Sequence, residues 1–233
     1  MTKPAPEFDR YADSYTDLHK ANIQASGEEP SYFARYKAQY MAAKLDAGEA
    51  NRALDILDFG CGIGNSIPHL HDAFPQSRLL GVDPSGESIG MAADVHTDKA
   101  IFRTLSGSRL PCDDDNFDLV QAACVFHHIK PGERLGWMQE LGRVLKPGGD
   151  LFVFEHNVLN PLTVKAVHEC PFDEDAVLLP KRELLGLVRA AGFSRVVARY
   201  IVFFPKALGF MRPLEPYMGR IPFGAQYVVH AVA

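Results

Sequence analysis

From residue 54 onward the chain alternates short β-branched runs with helical patterns, and this grain constrains its fold more than any other feature. LDILDFG is followed by NSIPHLHDAF, RLLGVDPS by ESIGMAADVH, AIFRTLS by a turn, and FDLVQAACVF by GERLGWMQELGRVLK. Such alternation builds a parallel sheet with helices on both faces. A fifth strand, LKPGGDLFVFEHN, is entered through a Lys-Pro-Gly-Gly turn that stops the preceding helix. The last two runs, SRVVARYIVFFP and AQYVVHAVA, are separated by a Pro- and Gly-rich loop without a convincing crossover helix, so they are expected to pair antiparallel.

The expected fold is therefore α/β: a doubly wound, Rossmann-like, seven-stranded and mostly parallel sheet ending in an antiparallel hairpin. Ahead of it, FDRYADSY and YFARYKAQYMAAKL carry apolar and aromatic residues at helical spacing, joined by ASGEEP. They predict a helical lid over the sheet's ligand-binding edge. A length of 233 residues suits one domain, with residues 1–50 as the lid, 54–156 as the ligand-binding core, and 157–233 as an insertion plus the hairpin.

Charge narrows the partners. Lys and Arg total 24 against 29 Asp and Glu, a net charge of −5, opposite to what phosphate backbones select, so nucleic acid is not expected. The cations between Lys181 and Arg199 read as the solvated face of a helix. Cys61, Cys112, Cys124 and Cys170 form no paired ligand spacing, the start MTKPAPEFDR lacks an apolar signal core, and no apolar run approaches a membrane span. A reduced, cytoplasmic protein is expected.

The stretch LDFGCGIGN places Gly60, Gly62 and Gly64 at the end of the first predicted strand, where open α/β sheets bind ligands. Glycine permits positive φ and close approach of a ligand to the backbone. A dinucleotide turn reads G-x-G-x-x-G; here the third glycine comes one residue early. Asp58 at the mouth of the turn would repel a pyrophosphate and favour an ammonium or sulfonium. Asp83 ends the next strand, where a carboxylate can accept both ribose hydroxyls. Ribose with positive charge and no phosphate describes S-adenosylmethionine.

With LDFGCGIGN, LLGVDPS, LPCDDDNFDLV and LGRVLKPGGDLFVFE in this order over residues 54–156, the sequence resembles the class I, seven-stranded S-adenosylmethionine-dependent methyltransferases, particularly the small bacterial type 11 group. The resemblance implies that Asp58, Gly60, Gly62 and Gly64 hold the methionine portion and Asp83 the ribose, with Pro84 and Ser85 beside the adenine. Ser106 stands where relatives often carry an adenine-binding Asp, so it, or the Leu105 backbone, would take that place. Ala123 and Cys124 would meet the methionine moiety, and Tyr11 and Tyr15 match lid aromatics or are simply helix-packing residues.

A general base, if the transfer uses one, belongs on the loops after the fourth and fifth strands. Those loops offer His127 and His128 in VFHHIKPGE, and Glu155, His156 and Asn157 in FVFEHNVLN. A neutral imidazole can take a proton near pH 7, although histidines here also pack locally in many relatives. No metal is expected: the two adjacent histidines share no face as in H-E-x-x-H, and no carboxylate of suitable spacing joins them.

The acceptor pocket is expected from the lid, the insertion HNVLNPLTVKAVHECPFDEDAVLLP, and the loop FFPKALGFMRPLEPYMGRIPFGAQY. Arg35, Lys37, Lys165 and Arg212 could meet an anionic acceptor; Phe33, Phe172, Phe203, Phe204, Phe210 and Tyr217 could line an apolar one. The expectation is methyl transfer from S-adenosyl-L-methionine to oxygen or nitrogen of a small, partly hydrophobic acceptor, lipid-like acceptors included. The alternatives are a cofactor-binding scaffold without turnover, a protein or RNA methyltransferase, and an NAD-dependent dehydrogenase.

Overall fold

The computed structural model describes residues 18, 20, 22–45 and 52–233. The first predicted helix, with Tyr11 and Tyr15, lies outside them. Among the described residues, seven strands form one sheet in the order β3-β2-β1-β4-β5-β7-β6. They are β1 (Asp55–Phe59), β2 (Arg78–Asp83), β3 (Ala100–Thr104), β4 (Phe117–Ala123), β5 (Leu145–His156), β6 (Ser194–Ile201) and β7 (Gln226–Val232).

The strands β1 to β5 pair parallel, whereas β7 slots antiparallel between β5 and β6, so the expected C-terminal hairpin is present. The sheet reverses its winding between β1 and β4. Ligands bind at such a switch point, outside the carboxyl ends of the strands.

Among the described residues, seven α-helices accompany the sheet: α1 (Pro30–Ala42), α2 (Ile67–Ala73), α3 (Gly86–His96), α4 (Arg134–Val144), α5 (Pro161–His168), α6 (Lys181–Ala190) and α7 (Glu215–Met218). Two layers of core result, as expected for a sheet covered on both faces. Leu57, Val120, Leu151 and Val153 point to the layer shared with α4 and α6. Ile56, Leu119, Phe152 and Phe154 point to the opposite layer, with Met41 of α1 and Ile67 and Leu70 of α2.

Two local expectations are revised. The Lys-Pro-Gly-Gly segment is a bulge inside β5 rather than a turn before it. Phe117 pairs with Leu145 and Leu119 already with Asp150, and Gly148 takes φ 83° to let the intervening residues loop out. The cations from Lys181 to Arg199 do not share one helix: α6 ends at Ala190, and Arg195 and Arg199 belong to β6. The insertion after β5 carries a helix of its own: Pro161 at the first helical position and Asn160, accepting from Leu162 and Thr163 N–H, start α5.

Candidate active site

The cofactor candidates converge at the carboxyl ends of four neighbouring strands, β3-β2-β1-β4. Gly60, Gly62 and Gly64 all have positive φ (75°, 51° and 81°), but their surroundings differ. A Cβ on Gly60 would lie 2.4 Å from a Val125 methyl, and one on Gly64 would lie 2.8 Å from the His96 ring. At Gly62 it would meet nothing within 4 Å. Two glycines thus let the turn pack, and the third faces open space.

Asp58 is 2 % exposed and lies opposite Gln121 in the β1–β4 register. The Gln121 amide donates to Asp58 Oδ1 at 2.9 Å, while Oδ2 is buried with no hydrogen-bond partner among the described residues. Burial raises its pKa to about 6, with the Gln121 hydrogen bond opposing and the charge of Asp83 adding to the rise. A buried carboxylate oxygen left unpaired is costly, and a cation beside it would relieve that cost.

Asp83 braces the same turn. Its Oδ2 accepts the Gly62 N–H and its Oδ1 the Ser85 N–H, each at 2.9 Å. Ser85 is fully buried and its hydroxyl accepts the Ser88 N–H, capping α3, while Pro84 is exposed beside it. Leu105 donates its N–H to the Asp83 carbonyl at 2.8 Å, which fixes the loop after β3 against the loop after β2. Ser106 next to it is exposed.

Beyond β1, Ala123 ends β4 and Cys124 follows with φ 60°, a strained backbone for a residue with a Cβ. Two residues not singled out as cofactor or catalytic candidates face its sulfur: Lys37 Nζ at 3.9 Å and Gln226 Nε2 at 3.6 Å. Gln226 starts β7 opposite His156, and its Oε1 is buried without a partner among the described residues. Lys37 is 8 % exposed, 6.0 Å from the centre of the Phe154 ring, and among the described residues no carboxylate lies within ion-pair distance.

The other cations expected at an acceptor are elsewhere: Arg212 pairs with Glu28, Lys165 with Glu169, and Arg35 is exposed. Phe33 and Phe203 pack against the core, Phe204 is half-buried, and Phe210 and Tyr217 sit on the surface.

The four catalytic candidates meet at the ends of β4 and β5. Glu155 is fully buried; its Oε1 accepts the Phe126 N–H at 2.8 Å, and its Oε2 lies 2.7 Å from His127 Nδ1. Burial alone would depress the basicity of His127, but the Glu155 charge and the Asp173 and Glu155 hydrogen bonds raise its pKa to about 10. Burial lowers His156 to about 4, aided by the His127 charge, and His128 also falls through burial. The ring centres of His128 and His156 lie 4.1 and 5.0 Å from that of His127.

Asp173, in a 3-10 turn (Pro171–Asp173), reaches this cluster from the insertion, with Oδ1 3.5 Å from His127 Nε2 and 3.2 Å from His128 Nε2. Its neighbours are pinned. Val177 donates to the His127 carbonyl at 2.8 Å, and the buried Arg134 guanidinium donates to the Phe126, Ile129 and Val177 carbonyls and to Glu183. Asn157 is buried as well, donating to the Pro222 and Gly224 carbonyls. Sequence spacing could not reveal Asp173, because it lies more than forty residues from the histidines.

A seven-stranded sheet of this order carries, at its switch point, a glycine turn flanked by the buried carboxylates of Asp58 and Asp83. Residues 56–149 match a methyltransferase domain family. It is 29 % identical to the malonyl-[acyl-carrier protein] O-methyltransferase of Herminiimonas arsenicoxydans over 77 % of this chain and 68 % of that one. A S-adenosylmethionine-dependent methyltransferase of Thermotoga maritima superposes with a TM-score of 0.65 at 19 % identity, covering 97 % of this chain and 98 % of that one.

Phosphoethanolamine N-methyltransferase 2 of Haemonchus contortus, solved with S-adenosyl-L-methionine, gives the same TM-score at 16 % identity, covering all of this chain and 61 % of that one. The chain spans between about a third and two thirds of the length of the curated relatives it matches first. No helix among the described residues is long and apolar enough to cross a membrane.

Proposed function

We propose that this methyltransferase transfers the methyl group of S-adenosyl-L-methionine to an oxygen or nitrogen of a small, partly hydrophobic organic acceptor. The observation that carries the cofactor half of this reading is the buried Oδ2 of Asp58, without a hydrogen-bond partner among the described residues, at the end of the strand that runs into the glycine turn. An ammonium seated there would give the carboxylate the partner that the protein withholds. Asp83, aligned by two backbone N–H groups, is the carboxylate that takes the ribose hydroxyls. Pro84 and Ser85 border the adenine from β2, and Leu105 and Ser106 do so from β3.

The bound cofactor supplies an activated methyl on a sulfonium, and the chain's own contribution is placement. Reactants held in line can gain effective molarities of ~10⁵ M or more. Ala123 and Cys124 form the wall on the methionine side. Lys37, a buried ammonium with no carboxylate within ion-pair distance among the described residues, takes an anionic group there, either the cofactor's carboxylate or an acid on the acceptor. His156 and the partly exposed His128 are the groups placed to accept a proton, whereas Glu155 and His127 are too deeply buried to touch an acceptor and act by holding the turn.

Calorimetry with S-adenosylhomocysteine and with NAD, followed by incubation with labelled S-adenosylmethionine and hydroxyl-, amine- and acid-bearing acceptors, tests the reading. Formation of S-adenosylhomocysteine and a methylated small acceptor is expected. Binding without turnover on any acceptor would favour a scaffold, and methylation confined to protein or RNA would overturn the acceptor class.

A further inference from the structure

We propose that His127, His128 and Asp173 form a three-ligand site for a first-row divalent cation, zinc foremost, with one coordination position left open.

The argument is geometric. One ligand atom from each of the three residues lies within 4.8 Å of the other two. Two of these separations are to a single oxygen: Asp173 Oδ1 is 3.5 Å from His127 Nε2 and 3.2 Å from His128 Nε2. As N–H to oxygen contacts these are at or beyond the long end of the normal range. As edges of a coordination tetrahedron they suit the metal: ligands about 2.05 Å from zinc at tetrahedral angles stand about 3.3–3.4 Å apart.

The surroundings are those of a built site. Zinc-bound histidines almost always have their second nitrogen held by a carboxylate or carbonyl, which fixes the ring and its tautomer. Glu155 does this for His127, at 2.7 Å from Nδ1, and is itself anchored by the Phe126 N–H. Asp173 is held on the other side, since Val177 bonds the His127 carbonyl and Arg134 bonds Val177, so the insertion cannot drift from the turn.

Charge points the same way. Glu155 and Asp173 are both buried, and with neutral imidazoles between them a divalent cation leaves the cluster neutral. The donor set, two imidazoles and one carboxylate, is one that zinc accepts in sites that keep an open position. His128 is the least buried of the three, so the open position faces the cleft, where an oxygen of the acceptor could become the fourth ligand.

The test reads metal binding and needs no methyl acceptor, so its outcome is separate from that of the methyl-transfer reading. Protein free of added histidines is stripped with chelator and titrated with Co²⁺, watching the intense visible bands of four-coordinate cobalt, then displaced with Zn²⁺. One equivalent is expected. His128→Gln, at a partly exposed position, should weaken binding at least ~100-fold, and Glu155→Gln about 10- to 100-fold. S-adenosylhomocysteine binding serves as the check that each variant is folded. Absence of a four-coordinate cobalt spectrum in the wild-type protein, or equal metal affinity in His128→Gln, would overturn the site and leave the cluster as an ion triad held by a proton.

Discussion

The proposed cofactor and acceptor halves of the candidate site are built in different ways. The cofactor half, from β3 to β1, is made of loops that immediately follow strands: Asp58 to Gly64, Asp83 to Ser85, and Leu105 to Ser106. The proposed acceptor half, around β4, β5 and β7, is assembled from Lys37, His156, Asp173 and Gln226, which are scattered over the chain and reach the methionine-side wall at Cys124. The first depends on backbone conformation and can be specified by a few consecutive residues. The second depends on register and on loops packing onto loops, so each side chain is set by partners distant in sequence.

This contrast makes the largest prediction one about backbone. Gly60→Ala combines a positive φ with a Cβ 2.4 Å from Val125, and should lower unfolding free energy by about 3 kcal/mol. Gly62→Ala meets no atom within 4 Å and should cost only about 1 kcal/mol, while still obstructing the cofactor. Chemical denaturation of the two variants beside S-adenosylhomocysteine titrations separates the effects. Equal stabilities would mean that packing does not distinguish the glycines.

In the acceptor half the comparable blow is Arg134→Met, which strips donors from three carbonyls behind the histidine cluster. A loss of about 2–3 kcal/mol in stability is expected, with cofactor affinity preserved in the folded fraction. Loss of cofactor binding with unchanged stability would show that the two halves are coupled rather than separately built.

Smaller effects sharpen the chemistry. Asp83→Ala should weaken S-adenosylhomocysteine binding by about 1–3 kcal/mol, and unchanged affinity would remove its ribose role. Lys37→Met should reduce affinity for S-adenosylhomocysteine more than for 5′-methylthioadenosine if the lysine holds the cofactor's carboxylate. Equal affinities would direct it to the acceptor instead.

The same contrast explains what was legible in the sequence. RLLGVD and the glycine turn could be read directly, because strand period, turn chemistry and ligand chemistry all reside in one short stretch. Gln121 could not be linked to Asp58 without knowing that β4 lies next to β1 in this register. Lys37 was visible only as one of several cations, since burial rather than residue type distinguishes it from Arg35 two positions away. Asp173 was read as part of an insertion, because only the fold carries it to the histidines. The Lys181–Arg199 cations misled for a related reason: charge spacing says little about where a helix ends and a strand starts.

The central claim is that a buried, unpaired carboxylate selects a cationic nucleoside, and the pH dependence of S-adenosylhomocysteine binding tests it most directly, since that ligand keeps the α-ammonium. Burial raises Asp58 to about 6, and the ammonium favours its ionised form. Affinity should therefore be level above pH 6 and fall as pH drops through that value, while Asp58→Asn binds weakly with this step lost. The same substitution should stabilise the ligand-free protein above pH 6 by about 1 kcal/mol, because it removes a buried charge. A wild-type profile that is flat from pH 5 to 8, or Asp58→Asn binding as tightly as the wild type, would contradict the account.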